Sequence, residues 1–279
     1  MFVTIAQEIS GFLNLPPEIL LLVYCSLDSI ADAYFLSQTC QQAYHVFSRP
    51  QSQPKIFESI IHNVLQDAAP NQAWLEKQFG PGSLWRPKEA DLPVDLTNKP
   101  AREFLINIGF PSVKLPRIGF NSTHLKTFAD KGDSLCRYTG EELYGIYDPD
   151  DEVPALSFCL GEVYTQLVML ENEHGHVFWY NGDCYDSLGR DRGLVAQGLD
   201  SLAVLLGMVV AVTKDLRESP LDLSLEELER RVEILKRPLD ILRGKMRDYD
   251  FYAEDAEFWN DLFSELLDDW EFRDESLGS

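Results

Sequence analysis

A chain of 279 residues, 45% apolar and 25% charged, has the length of one large domain or two ordinary ones and enough apolar residues to bury a core. Its formal net charge of −22 creates a field that repels phosphate backbones and anionic lipid, which argues against nucleic-acid and membrane partners. Residues 248–279 carry half of that charge, with twelve acids against Arg273 alone.

The first residues lack the basic stretch and long apolar core of a secretory signal. Cys25, Cys40, Cys136, Cys159 and Cys184 are odd in number, widely spaced and without a C-x-x-C pair. They read as reduced thiols, which leads to the expectation of a cytoplasmic or nuclear protein. The uncharged run 202–212 is far shorter than the roughly 20 residues that span a bilayer.

In chain order, Pro16 and Pro17 fix an extended lead-in and a helix start. Ile19, Leu22, Val23 and Leu27 then recur at helical spacing, and Leu20 and Tyr24 widen the apolar face. Asp28 or Ser29 caps a second helix over 30–38. Ala43, Tyr44, Val46 and Phe47 predict a third helix, and Ile56, Ile60, Ile61 and Val64 a fourth. So small an all-helical element buries little by itself, since units below about 40 residues generally need a partner or another domain. Residues 68–71 mark a boundary.

Beyond it, the spacing predicts helices over 74–79 and 100–109, the second with proline at its start and glycine at its end. Strand follows from 154 to 180, with a turn expected at Gly161-Glu162. Residues 165–170 and 176–180 form an antiparallel hairpin around 171–175. An apolar helix over 201–213 is expected to pack on that sheet. Ser224-Leu225-Glu226-Glu227 opens a charged helix that Pro238 should interrupt. Residues 255–270 place Phe258, Trp259, Leu262, Phe263, Leu266 and Leu267 on one face among acids, so this helix packs on the second domain. The domains expected are therefore 10–66, 71–247 and 248–279.

Signals for chemistry are few. His174 and His176 share a strand face, but zinc needs further ligands, for which Glu171 and Glu173 are the nearest, and Gly175 marks a turn tip. The acids Asp148, Asp150, Asp151 and Glu152 lack the spacing of a calcium loop. No serine-hydrolase, phosphate-loop or metalloprotease motif occurs. The expectation is no catalytic residue, no metal and no cofactor. Target recognition would fall to large aromatics of the second domain, with Trp85, Trp179 and Tyr180 as candidates. Trp179 and Tyr180 alternate on a strand, so one should face inward and one outward.

Leu15-Pro16-x-Glu18-Ile19-Leu20, followed by Val23, Tyr24, Leu27, Leu36, Thr39, Cys40 and Tyr44, resembles the F-box motif over about residues 12–47. That resemblance implies a three-helix element docking on the Skp adaptor of a cullin-RING ubiquitin ligase. Leu15, Pro16, Ile19, Leu20, Val23, Leu27 and Leu36 would then supply adaptor-facing and inter-helix contacts. Gln41, Gln42 and Tyr44 stand where that family often carries basic residues and a tryptophan.

A second likeness covers about residues 74–212. Arg102-Glu103-Phe104-Leu105 ending Gly109-Phe110-Pro111, a hairpin with Gly175, then Asp186-Ser187-Leu188 and the helix from Leu199 resemble the SUKH superfamily. That superfamily includes toxin-immunity proteins and cell-wall regulators, and implies a sheet with flanking helices used for protein binding without catalysis.

The expected fold is thus α+β: a three- to four-helix F-box-like element followed by an antiparallel sheet with flanking helices. The leading functional expectation is a non-catalytic substrate adaptor, with a Skp-type adaptor and cullin scaffold on one side and a target protein on the other. The alternative is a SUKH-like regulatory or immunity-type binding module whose N-terminal helices are structural.

Overall fold

The computed structural model describes residues 15–128, 135–145, 154–180, 191–214, 225–254 and 256–275. The acids at 148–152, Cys184, Asp186-Ser187-Leu188 and the Ser224 cap lie outside the described residues. The chain is α+β, with helices first and an antiparallel sheet after them. Its contacts divide it into two units, residues 1–67 with 209–242 and residues 68–208 with 243–279. The stretch 209–242, expected with the second domain, groups with the first unit.

The first unit opens with α1 (Pro17–Cys25), α2 (Ile30–Ser37), α3 (Gln41–Phe47) and α4 (Ser52–Leu65). Short helices need their ends satisfied, because the first N–H groups and last carbonyls have no partner within the helix. Ser29 Oγ accepts from the Asp32 amide at 3.1 Å, and Cys40 Sγ from the Ala43 amide at 3.4 Å. Asn63 on α4 donates to the Cys25 and Leu27 carbonyls, each at 3.0 Å, closing the end of α1. Leu20 and Tyr24 turn inward, and the Tyr24 hydroxyl donates to the Ala43 carbonyl at 3.1 Å. Tyr24, Phe47 and Phe57 form a ring chain with centroids 5.7 and 5.9 Å apart, the packing that joins α1, α3 and α4.

The second unit runs α5 (Gln72–Phe79), β1 (Leu84–Trp85), α6 (Lys99–Asn107), β2 (Phe110–Pro111), β3 (Lys114–Leu115), β4 (Phe120–Asn121), α7 (His124–Thr127), β5 (Arg137–Thr139) and α8 (Gly140–Tyr144). Then come β6 (Leu156–Val163), β7 (Gln166–Glu171), β8 (Val177–Tyr180), β9 (Asp191–Ala196) and α9 (Leu199–Thr213), which from Val209 onward groups with the first unit. After α10 (Leu225–Tyr249), which groups with the first unit up to Leu242 and with the second from Arg243, a single 3-10 turn (Phe251–Ala253) leads to α11 (Glu257–Glu275). β1 and β2 form a separate ribbon. The main sheet has the order β3-β4-β6-β7-β8-β9. β4 pairs with the Glu162–Val163 end of β6 and β5 with its Leu156–Phe158 end, so both lie along one edge of that strand.

Gly161, expected at a turn, lies inside β6 next to a bulge at Leu160. A Cβ there would meet the Asn121 carbonyl at 2.9 Å and the Phe120 ring at 3.0 Å, so glycine lets β4 approach rather than reversing the chain. The reversal falls at Tyr164, which adopts φ +56°. The Tyr164 hydroxyl donates to Glu265 on α11. Pro238 does not interrupt its helix: α10 continues to Tyr249. A proline inside a helix costs about 3 kcal/mol, and burial of Leu239, Leu242 and Met246 offsets it.

Both faces of the sheet are covered, which is why all four residues of β8 are buried. On one face Phe178 and Tyr180 join Met169, Cys159, Leu143 and Tyr144, with the Tyr144 and Tyr180 rings 5.6 Å apart at 77°. On the other, Trp179 meets Phe258 of α11 edge-on at 5.6 Å. Trp259, fully buried beside it, donates from Nε1 to the Val195 carbonyl at 2.9 Å.

Candidate binding surfaces

The hairpin tip between β7 and β8 is built from its own acids and from a clamp. The Glu171 carboxylate accepts from the amides of Glu173 at 2.5 Å and His174 at 2.7 Å, so it organises the turn as an Asx-type acceptor would. Asn172 donates to the Asp95 carbonyl and to Thr97 Oγ1, both at 3.1 Å, and accepts from the Thr97 amide at 2.9 Å. Asn98 caps α6 by accepting from the Ala101 amide at 3.0 Å. Gly175, at φ +82°, passes so close to Asn98 that a Cβ would stand 2.8 Å from the amide nitrogen. Only glycine fits both the backbone angle and the gap.

Next to this tip, the start of α9 is held by Asp250, a nearly sealed carboxylate just beyond α10. Asp250 accepts from the Gln197 amide at 2.7 Å, the Tyr252 amide at 3.0 Å and the Ser201 hydroxyl. Tip and helix start enclose a cleft of about 290 Å³ lined by Asn98, His174, Gln197, Asp200, Ser201 and Tyr249, together with neighbouring backbone. Burial and then the negative fields of Asp200 and Asp250 push the Tyr249 phenol up to about 12, so it stays a neutral donor. A file of rings continues from His174. His174 stacks on His176 at 5.7 Å, His176 lies 5.8 Å from Tyr252, and Tyr252 lies 6.3 Å from Phe251. Phe251 is 72% exposed and Tyr249 37%.

Glu171, Glu173 and His174 bring three ligand atoms within 4.8 Å of one another, a group that does not include His176. The Glu171 carboxylate is already engaged by the turn amides, so the turn itself accounts for the grouping.

The second surface is in the first unit. Ile19 is 42% and Leu22 64% exposed on α1, and Phe35 and Tyr44 are also exposed. Leu15, Val23, Leu27 and Leu36 are half-buried, Pro16 is exposed and Leu20 is sealed inside the helices. An open groove lined by Pro17, Gln41, Gln42, His45 and Arg49 runs beside α3, and Gln42 donates to the Leu15 carbonyl at 2.7 Å.

Trp85, Trp179 and Tyr180, expected as recognition aromatics, are all buried and offer no docking surface. Trp85 is sealed in the β1–β2 ribbon, and the strand alternation does separate Trp179 from Tyr180, but both faces are covered. Among the described residues of the second unit the exposed aromatics are Phe128, Tyr164, Tyr249 and Phe251, and the last two lie in the acidic stretch 248–279 that sequence reasoning took for helix and tail. The one signal for them was a Tyr-Asp-Phe-Tyr run between two helices.

A family model described as SUKH-4 immunity protein matches residues 70–265. No curated protein and no solved structure matches the chain.

Proposed function

The chain belongs to the SUKH-4 immunity protein family, and we propose that it is a non-catalytic protein-binding module whose second unit recognises and neutralises a partner protein, as an immunity protein does a toxin. The observation that carries this is the coincidence of the matched span, 70–265, with the sheet and the ring-lined cleft. Sheet, hairpin tip and α11 form a rigid platform with sealed aromatics, and Phe251 is left outside it as an anchor. Exposed aromatics on a rigid base dominate interface energetics. Affinity purification of the tagged chain from its native cells, followed by mass spectrometry, tests the reading. It expects one co-purifying protein in near-equal amount whose own activity is suppressed in the complex. A partner that the chain chemically alters would contradict it.

A second reading is favoured by the exposed Ile19 and Leu22, which lie outside the matched span. In it, α1 to α3 dock on a Skp-type adaptor and cullin scaffold, and the second unit supplies the target. A pull-down of the full chain with a purified Skp adaptor, with Ile19→Asp as control, decides it. Absence of a wild-type complex removes this reading and leaves the first intact.

A further inference from the structure

We infer that the cleft between the β7–β8 tip and the start of α9 is a socket for a lysine or arginine side chain on the surface of the partner protein. The inference rests on the binding-module reading and names the chemistry that the module selects.

The charge of the cleft is one-sided. Asp200 lines it and Asp250 stands behind it, and no lysine or arginine is among its lining residues. The three hydrogen-bond donors that reach Asp250 are two amides and a hydroxyl, all neutral, although the group is 3% exposed. The positive end of the α9 dipole offsets about half a charge there, less than two carboxylates supply. Tyr249 reports the same field, since both acids oppose its ionisation. Among the described residues the nearest arginine in sequence, Arg247, is engaged by Glu254 at 3.2 Å and Asp248 at 3.9 Å.

The shape suits a long cationic side chain. About 290 Å³ lies at the lower edge of small-molecule pockets, enough for one such side chain. The carboxylate that lines the cleft is the exposed Asp200, and the buried Asp250 is bonded to the lining residues Gln197 and Ser201, so a charged head would meet Asp200 directly. Tyr249 supplies a lining ring on which an aliphatic stem or a guanidinium face would pack, and Phe251, two residues on, is exposed. The net charge of −22 steers a basic surface toward the chain, while the socket fixes its register.

The test uses the full ¹⁵N-labelled chain titrated with three probes. They are N-acetyl-lysine methylamide, N-acetyl-arginine methylamide and the uncharged N-acetyl-norleucine methylamide, each at matched ionic strength. The expected result is saturable shifts of the Gly198, Ser201, Tyr249 and Phe251 amides with one or both cationic probes and none with norleucine. Asp200→Asn should weaken that binding about ten-fold while the melting temperature and the shifts elsewhere stay unchanged. Glu141→Gln, an exposed acid on α8, should leave it unaltered. No saturable shift with either cation, equal shifts with norleucine, or equal loss in Glu141→Gln would overturn the socket. The two readings fail separately. A captured partner that binds Asp200→Asn as well as wild type overturns the socket and leaves the binding module standing. Cationic probes that bind in the expected manner support the socket even where no partner is captured.

Discussion

The two units solve the same problem, covering apolar surface, in different ways. In the sheet unit the packing on both faces seals even Trp179 and Tyr180, and the exposed ring that lines the cleft is Tyr249, with Phe251 exposed two residues on. In the helical unit α1 to α4 seal Leu20, Tyr24 and Phe57 but leave Ile19, Leu22, Phe35 and Tyr44 at the surface. A sheet presents two flat faces that layers can cover completely, whereas a short helix buries one stripe and keeps its other side. Exposed apolar residues therefore mean different things in the two units. In the helical unit they lie on the helices themselves, whereas in the sheet unit Val94, Phe128, Tyr164, Tyr249 and Phe251 lie in turns and at helix ends, off the covered faces of the sheet.

Substitutions can break this contrast. The largest loss is expected from Trp259→Ala, which removes a fully buried indole and its bond to Val195 and should cost about 4 kcal/mol in urea unfolding. Leu20→Ala should cost about 3 kcal/mol, placing this leucine in the core of its unit although it lies within the F-box-like motif. Asp250→Ala should cost about 2 kcal/mol, because the Gln197 and Tyr252 amides and the Ser201 hydroxyl lose their acceptor.

A pH effect is smaller. His124 is held below its usual value of 6.5 by burial, against the Cys159 carbonyl and Glu162, and its Nε2 has no hydrogen-bond partner among the described residues. The unfolded chain binds the proton first, so stability should be full above pH 6.5 and decline as the pH falls below it. His124→Gln should flatten that limb of a urea-midpoint series, and an unchanged slope would remove His124 as its source. The smallest effect is expected from Leu22→Asp, within about 0.5 kcal/mol, because its side chain is mostly in water. A loss near that of Leu20→Ala would show that α1 is covered after all.

Much of this architecture was legible in the residues. Pro16 and Pro17, Ser29 and Pro100 with Gly109 punctuate helices by known backbone and capping chemistry. The β7–β8 hairpin announced itself through β-branched and aromatic runs around Gly175. Glycine and proline misled where packing overrides local preference. Gly161 serves a close strand approach inside β6, and Pro238 sits within α10. β1 to β4, each of two residues, are too short to show a period. The cleft was not legible at all, because Asn98, His174, Asp200 and Tyr249 come from four separate segments that meet only through the fold. The aromatics expected as anchors were chosen because Trp and Tyr are enriched at binding hot spots, but a large ring on a doubly covered sheet is buried.

Calorimetric titration of the captured partner into four forms of the full chain tests the central claim most directly: wild type, Phe251→Ala, Asp200→Asn and the Ile19→Asp, Leu22→Asp double variant. Binding should weaken at least about ten-fold in Phe251→Ala and in Asp200→Asn and stay at the wild-type value in the double variant. Wild-type affinity in both cleft variants, with binding abolished in the double variant, would place recognition on the helical unit and contradict the account.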